Sequence, residues 1–144
     1  RSAQSVEVRL TKFGVLPGDA VACVRSEAQA ATAHYEVEEK PWGSVDIVSE
    51  SQDVGLYRLN IAPGGYLPSH FHKVMRESEF VLHQGLQIRE QNQSWRHLEQ
   101  GERFRWPPEF VHGYRNEGTR TASLLCLDAP CFDPEDEIIT GVGP

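Results

Sequence analysis

The sequence predicts an all-β fold of sandwich or barrel type, and three observations predict it. Short apolar-alternating runs recur every 8–12 residues from about residue 42 onward. Gly and Pro together supply 12 + 9 = 21 of the 144 residues, which suits many tight turns between short strands. No apolar stripe of 3.6-residue period is long enough to build a helical bundle.

The elements follow in chain order. Val6, Val8 and Leu10 alternate in VEVRL and suggest an edge strand, and Pro17-Gly18 marks a turn. Residues 26–34, SEAQAATAH, are Ala-rich and fit a short helix with only Ser26 as a cap. WGSVDIVS sets Val45 and Ile47 on one face. In GLYRLNIAP, Tyr57, Leu59 and Ile61 share one side while Leu56, Arg58 and Asn60 share the other. PGGYLPSH reads as a turn or loop, and SEFVLHQGLQIRE as two strand pieces broken at Gly85. SWRHLE, GERFRW, HGYRNEG and TASLLCLD are further strands, the second stopping before Pro107. DPEDEIITGVGP, rich in carboxylates, forms a short terminal helix or an ordered arm. Three regions result: an extension over 1–40, a barrel over 41–128 and an arm over 129–144.

A net charge of −7 with no Lys/Arg cluster excludes a phosphate-backbone partner, so no nucleic acid is expected. No apolar run approaches the roughly 18 residues of a membrane span, and RSAQSVEVRL lacks the apolar core of a secretory leader. The three cysteines, Cys23, Cys126 and Cys131, make an odd set that argues against a disulfide framework. A Cys126–Cys131 bridge is the one short-range pairing, but a reducing, cytoplasmic setting fits better. The apolar N-terminal VEVRL could extend a partner's sheet, and unpaired strand edges are otherwise a liability, so a homodimer is expected.

The histidines carry the chemistry. His70 and His72 stand two apart in SHFHKVMRE, and in an extended segment residues i and i+2 point the same way. A turn after His72 can return the Glu77 carboxylate, and a strand leaving Pro107-Pro108 can deliver His112. Three neutral imidazoles and one carboxylate suit one divalent Zn, Fe, Mn, Ni or Co ion and leave positions open for water or substrate. Glu79 has the same strand parity as Glu77 and is the alternative carboxylate. His34 and His97 read as surface residues.

These residues fall into a longer pattern. The segment resembles the first motif of the cupin family, G-x5-H-x-H-x3–4-E-x6-G, through Gly64, His70, His72, Glu77 and Gly85, with one extra residue before Gly85. GERFRWPPEFVHGYRN resembles the second, G-x5-P-x-G-x2-H-x3-N, through Gly101, Pro107, His112 and Asn116, with Glu109 where the family has Gly. The resemblance covers residues 41–128. It implies a double-stranded β-helix, or jelly-roll barrel, with short terminal extensions, and a metal on His70, His72, Glu77 and His112. The usual Gly at position 109 raises the expectation of a strained turn if that turn needs positive φ.

Lys40-Pro41-Trp42-Gly43, YRLNIAPGGYLPSHFH and RESEFVLHQGLQI are similar in texture and order to the cupin domains of mannose-6-phosphate isomerases. That similarity implies a sugar-phosphate isomerase, in which a metal holds substrate while a proton moves between carbons. Other readings stay open: a non-heme iron dioxygenase, a metal-dependent lyase, or a ligand-binding cupin without turnover. Glu79, His83 and Glu109 are the candidate catalytic groups, since Glu77 is tied to the metal. Arg58, Arg76 and Arg105 could grip phosphate or carboxylate, with Trp106, Phe110 and Tyr114 shaping the pocket; Arg115 and the hydroxyls of Tyr57 and Tyr66 are further candidates. A small polar or anionic metabolite is the expected ligand.

Overall fold

The computed structural model describes residues 36–91 and 93–141. The VEVRL strand, the Ala-rich 26–34 segment, Cys23 and His34 lie outside the described residues. All regular structure within them is β, and no helix among them is long and apolar enough to cross a membrane.

Eleven strands follow one another: β1 Glu36–Lys40, β2 Gly43–Glu50, β3 Gly55–Ile61, β4 Tyr66–His72, β5 Arg76–Val81, β6 Leu86–Glu90, β7 Arg96–His97, β8 Arg103–Trp106, β9 His112–Asn116, β10 Ala122–Ala129 and β11 Glu137–Ile139. They form two antiparallel sheets, ordered β1-β2-β3-β10-β5-β8 and β11-β4-β9-β6-β7. Successive strands cross between sheets, as β3 to β4, β4 to β5 and β5 to β6 do, so the two faces enclose one interior. The described residues of the acidic tail form no helix. They form an arm whose β11 adds an edge strand beside β4, while SWRHLE contributes only the two-residue β7.

Period-two alternation sorts the residues. The inward series is Tyr57 and Ile61 on β3, Glu77, Glu79 and Val81 on β5, His112, Tyr114 and Asn116 on β9, and Ala122, Leu124, Cys126 and Asp128 on β10. Register aligns these series. Ala122 opposes Ile61, Leu124 opposes Val81, and Leu86 opposes Asn116, so one end of the interior is aliphatic. At the other end Cys126 opposes Glu79, Asp128 opposes Glu77, and His70 opposes His112. Ile61, Val81, Leu86, Ile88 and Leu124 are wholly buried; each such side chain stabilises by about 1.5–3 kcal/mol. This apolar base offsets the cost of burying the polar end.

The motif residues that are not ligands hold turns. Gly64, Gly85 and Gly101 all have positive φ. Asn116 donates to the carbonyls of Ile61 and Arg120, both at 2.8 Å, and accepts from Gly118 N, stitching β3, β9 and the β9–β10 turn together. Glu109 has φ 66°, and its N–H donates to the His72 carbonyl at 2.7 Å. The turn before β9 therefore needs the left-handed conformation, and this chain meets the need with a side chain. Left-handed backbone costs a non-Gly residue about 1–2 kcal/mol, while Gly loses about 0.5–1 kcal/mol in entropy. Glu109→Gly is expected to raise the unfolding free energy by about 0.5 kcal/mol or more on that balance. A lower midpoint in urea would contradict it.

Candidate metal centre

Three strands and one turn assemble the site. β4 brings His70 and His72 inward, both buried, and leaves Phe71 half-buried on the other face. β9 brings His112 directly opposite His70, with ring centroids 4.6 Å apart. The 73–75 turn reverses the chain so that β5 presents Glu77 from the facing sheet. Glu77 Oε2 lies 3.3 Å from His112 Nε2, and Oε1 lies 3.8 Å from His72 Nε2. The four residues expected to act as ligands thus converge on one volume.

Ring orientation bears on what that volume can hold. His70 Nδ1 is 2.9 Å from the Pro68 carbonyl, and His112 Nδ1 is 3.2 Å from that of Phe110. Those contacts assign the proton to Nδ1 in both rings and leave each Nε2 as a bare lone pair. His112 Nε2 is buried without a hydrogen-bond partner, yet faces a Glu77 oxygen. Two acceptors in contact away from water repel unless a proton or cation sits between them. Metal-binding imidazoles usually pin their second nitrogen to a carbonyl in this way. Ligand atoms of His70, Glu77 and His112 lie within 4.8 Å of one another, and so do those of His70, His72 and Glu137. The residues present therefore fit a divalent cation, with His70 common to both groups.

Electrostatics point the same way. Burial, with the neighbouring His70, pulls His72 down to about 4 and His112 well below the usual imidazole range. Both rings are neutral and ready to ligate at neutral pH. Burial, reinforced by Glu79, Asp128, Glu137 and Asp136, pushes Glu77 well above the carboxylate range. A cluster of carboxyls that resists ionisation for want of positive charge is the environment a cation relieves.

Glu79 occupies a different place from Glu77. It is fully buried behind the site, where it accepts from Trp106 Nε1 at 2.5 Å and from the Tyr114 hydroxyl, with Cys126 Sγ 3.6 Å away. Burial pushes it up to about 7, and those three hydrogen bonds oppose the rise. Trp106 in turn stacks on His112, centroids 5.0 Å apart and planes 19° from parallel, and on Phe110 and Phe104. Trp106, Phe110 and Tyr114 therefore stand behind the candidate ligand His112 and are absent from the cavity wall. The expectation that they shape a pocket is corrected: the turn delivers His112 by packing aromatic rings against its outer face.

A cavity of 210 Å³ opens beside the histidines. Trp42, Val45, Tyr57, Leu59, Leu67 and Phe132 give it apolar walls, and His70, His72, Glu77, Asp128 and Glu137 supply polar groups. Among the described residues Lys40 is its only basic lining residue, and Lys40 is already 2.6 Å from Glu38. The arginine expectation fails for a simple reason. Arg58, Arg76 and Arg105 are neighbours in sequence of the inward Tyr57, Glu77 and Trp106, so alternation sends them to the outer face, where they are exposed. Arg58 pairs there with Asp46, Nε to Oδ2 2.6 Å. Arg115 donates to Gln87 and pairs with Glu117 outside the cavity. His83 is also misplaced: β5 ends at Val81, strand parity lapses, and His83 is exposed on the turn before Gly85. Glu109 is exposed and absent from the cavity wall, which leaves it a turn residue.

Two cavity residues escaped the sequence reading. Asp128 is 4% exposed, its Oδ1 has no hydrogen-bond partner among the described residues, and burial with nearby Glu79 pushes it up to about 8. The signal was present, since Asp128 follows Leu124 and Cys126 at even spacing in SLLCLD. Glu137 had no local signal, because only the pairing of β11 with β4, Glu137 opposite His72, brings it in. Tyr57 also faces the cavity, its hydroxyl donating to Glu50 and accepting from Phe132 N at 3.1 Å.

Comparison with known proteins agrees with the architecture. The Cupin domain model matches residues 57–128. No curated protein matches the chain. Among solved structures, an uncharacterised double-stranded beta-helix protein from Klebsiella pneumoniae superposes with a TM-score of 0.60 at 20% identity, over 78% of this chain and 90% of that one. KdgF from Halomonas sp. gives 0.64 at 17% identity, over 73% and 96%. A variant of Streptomyces PAC13 with uridine gives 0.63 at 13% identity, over 77% and 88%. Motifs, double-sheet topology and family match agree, and the chain belongs to the cupin domain family.

Proposed function

We propose that this cupin is a metal-dependent enzyme of the lyase or isomerase class that moves a proton on a small, polar, uncharged metabolite. The observation that carries the reading is Asp128: a buried carboxyl with a free oxygen, protonated near neutrality, in the wall of the cavity that holds the candidate ligands. Such a group is poised to give or take a proton at working pH. His70, His72, Glu77 and His112 would hold the ion, which when bound polarises a carbonyl or hydroxyl oxygen of the substrate. Tyr57 and Glu50 would orient a substrate hydroxyl, and Val45, Leu59 and Phe132 would exclude water.

Cavity charge shapes the choice of substrate. A phosphorylated sugar needs basic groups, and the wall offers acidic ones, so the sugar-phosphate isomerase reading loses ground to a neutral hydroxylated compound. A distant neighbour, Pac13, is described as a nucleoside dehydratase, an activity of the lyase class on an uncharged ligand. An anionic metabolite would have to depend on the ion for its whole recognition.

Incubating metal-replete protein in heavy water with a panel of sugars, hydroxy acids, nucleosides and sugar phosphates tests the proposal. Deuterium incorporation or dehydration, read by mass spectrometry, is the expected result. Asp128→Asn should retain metal and lower the rate by roughly 100-fold or more. Oxygen consumption with an iron-loaded protein, or full turnover by Asp128→Asn, would refute it and favour the dioxygenase.

A homodimer in the cytoplasm belongs to the same proposal. Among the described residues β1 is the outer strand of the six-stranded sheet and exposes Val37, and Cys126 and Cys131 form no disulfide with each other. Light scattering should give about twice the 16.2 kDa chain mass, and a monomer at micromolar concentration would count against it. Cell fractionation tests the compartment.

A further inference from the structure

We propose that Glu137, carried by the C-terminal strand, is a further protein ligand of the metal, so that the ion fastens the tail to the barrel. The inference rests on the metal reading above and extends it beyond the three-histidine, one-glutamate set.

Position is the first argument. Glu137 lies opposite His72 in the β11–β4 ladder, and its Oε1 is 3.9 Å from His70 Nε2. That nitrogen is the lone pair left bare by the Pro68 contact. Ligand atoms of His70, His72 and Glu137 lie within 4.8 Å of one another. Both histidines are at least nine-tenths buried; His72 Nδ1 faces Asp136 Oδ2 at 3.7 Å and makes no hydrogen bond among the described residues. Glu137 is half-buried and lines the same cavity as Glu77.

Anchoring is the second. Asp136 accepts from Val74 N at 2.9 Å and Met75 N at 3.0 Å, and its carbonyl accepts from Lys73 N at 3.2 Å. Beyond Glu137, Thr140 N and Gly141 N donate to the Ser69 carbonyl at 2.8 and 3.0 Å. The tail is therefore tied on both sides of Glu137, to the turn that leads into Glu77 and to the residue before His70. A carboxylate held this way is pre-oriented toward the histidines and loses little entropy on ligation.

Charge is the third. A divalent ion with neutral imidazoles and Glu77 alone leaves a net +1 in a buried site. Adding the Glu137 carboxylate brings the set to zero, which lowers the cost of holding it away from water. Two carboxylate oxygens also move the donor set toward harder ions such as Mn(II) or Fe(II).

The test uses the 144-residue chain stripped of metal and titrated with Co(II) and Mn(II), comparing wild type with Glu137→Gln and Thr140→Val. Glu137→Gln keeps the strand and its shape but weakens the ligand. Its affinity should fall roughly 10-fold or more. The Co(II) visible absorption should intensify as coordination number drops. Metal-induced protection of the 137–141 amides from hydrogen exchange, present in wild type, should vanish. Thr140→Val removes the hydroxyl that donates to the Ser69 carbonyl at 3.1 Å, and should loosen that segment while keeping the wild-type Co(II) spectrum. Wild-type affinity and spectrum in Glu137→Gln would overturn the ligand role and leave the four-ligand site standing. The same spectral change in Thr140→Val would reduce Glu137 to a docking residue and also overturn it. A wild-type protein that takes up neither ion would overturn both this inference and the metal reading.

Discussion

Freshly purified protein is expected to carry close to one first-row divalent metal per chain, and His112→Ala to lose it. The effect should be large because His112 is the candidate ligand with the least freedom. It is 1% exposed, its Nδ1 is held by the Phe110 carbonyl, and Trp106 is stacked on its ring. Alanine there removes a donor that no neighbouring side chain can replace, and it opens a space beside Trp106. Changes in groups that only orient ligands typically cost about 10–100-fold in metal affinity, so loss of His112 should exceed about 100-fold. The loss should also appear as stability. An ion present at about 1,000 times its dissociation constant stabilises the folded state by about 4 kcal/mol, and His112→Ala should show almost none of that increment. His72→Ala should behave alike. Elemental analysis and thermal unfolding with and without added metal check the prediction. Full metal retention by both variants would remove these residues from the site.

The fold and the shared face of His70 and His72 were legible because they depend on short-range regularities, while Glu77 and His112 joined them only through the two spaced motifs of the cupin resemblance. Strand periodicity placed β2, β3, β5, β6, β8, β9 and β10 within a few residues, and i, i+2 spacing put His70 and His72 on one face. What failed was long-range or broke the period. Arg58, Arg76 and Arg105 were drawn into the pocket by chemistry that alternation denied them. Once Glu77 and Tyr57 face inward, those arginines cannot. His83 lies beyond Val81, where the strand has already ended and alternation no longer directs a side chain inward. Glu137 joins the site only through β11 pairing with a strand more than sixty residues earlier. No local signal encodes that pairing. Trp106 and Tyr114 show a subtler limit. Both face the interior as aromatic parity suggests, but Glu79 engages their polar atoms behind His112, so they support the site from outside the cavity.

Metal-free protein should lose stability as pH rises from 6.5 to 8, and metal should reverse the trend. Asp128 and Glu79 lie at about 8 and about 7 in the folded chain, against ordinary carboxylate values near 4 when unfolded. The folded state therefore binds protons that the unfolded state has released. Their contribution is fully present below about pH 4 and is lost as pH climbs through 7 and 8. His72 works in the opposite sense. Its folded value of about 4 lies below the unfolded value near 6.5, so its contribution is present above 6.5 and lost on acidification. The two trends oppose each other between pH 4 and 6.5, and only the carboxyl trend remains above 6.5. Summed over two buried carboxyls, the loss is on the order of a few kcal/mol, a sizeable share of a typical domain's 5–15 kcal/mol. A bound divalent ion supplies the positive charge the cluster lacks, and deprotonation of Glu77 then favours ligation, so metal affinity climbs over the same window. Urea unfolding of chelator-treated protein at pH 6.5, 7.25 and 8, repeated with added metal, separates the cases. Metal-free stability that is flat or rising across that window would show that the buried carboxyls are already compensated without an ion.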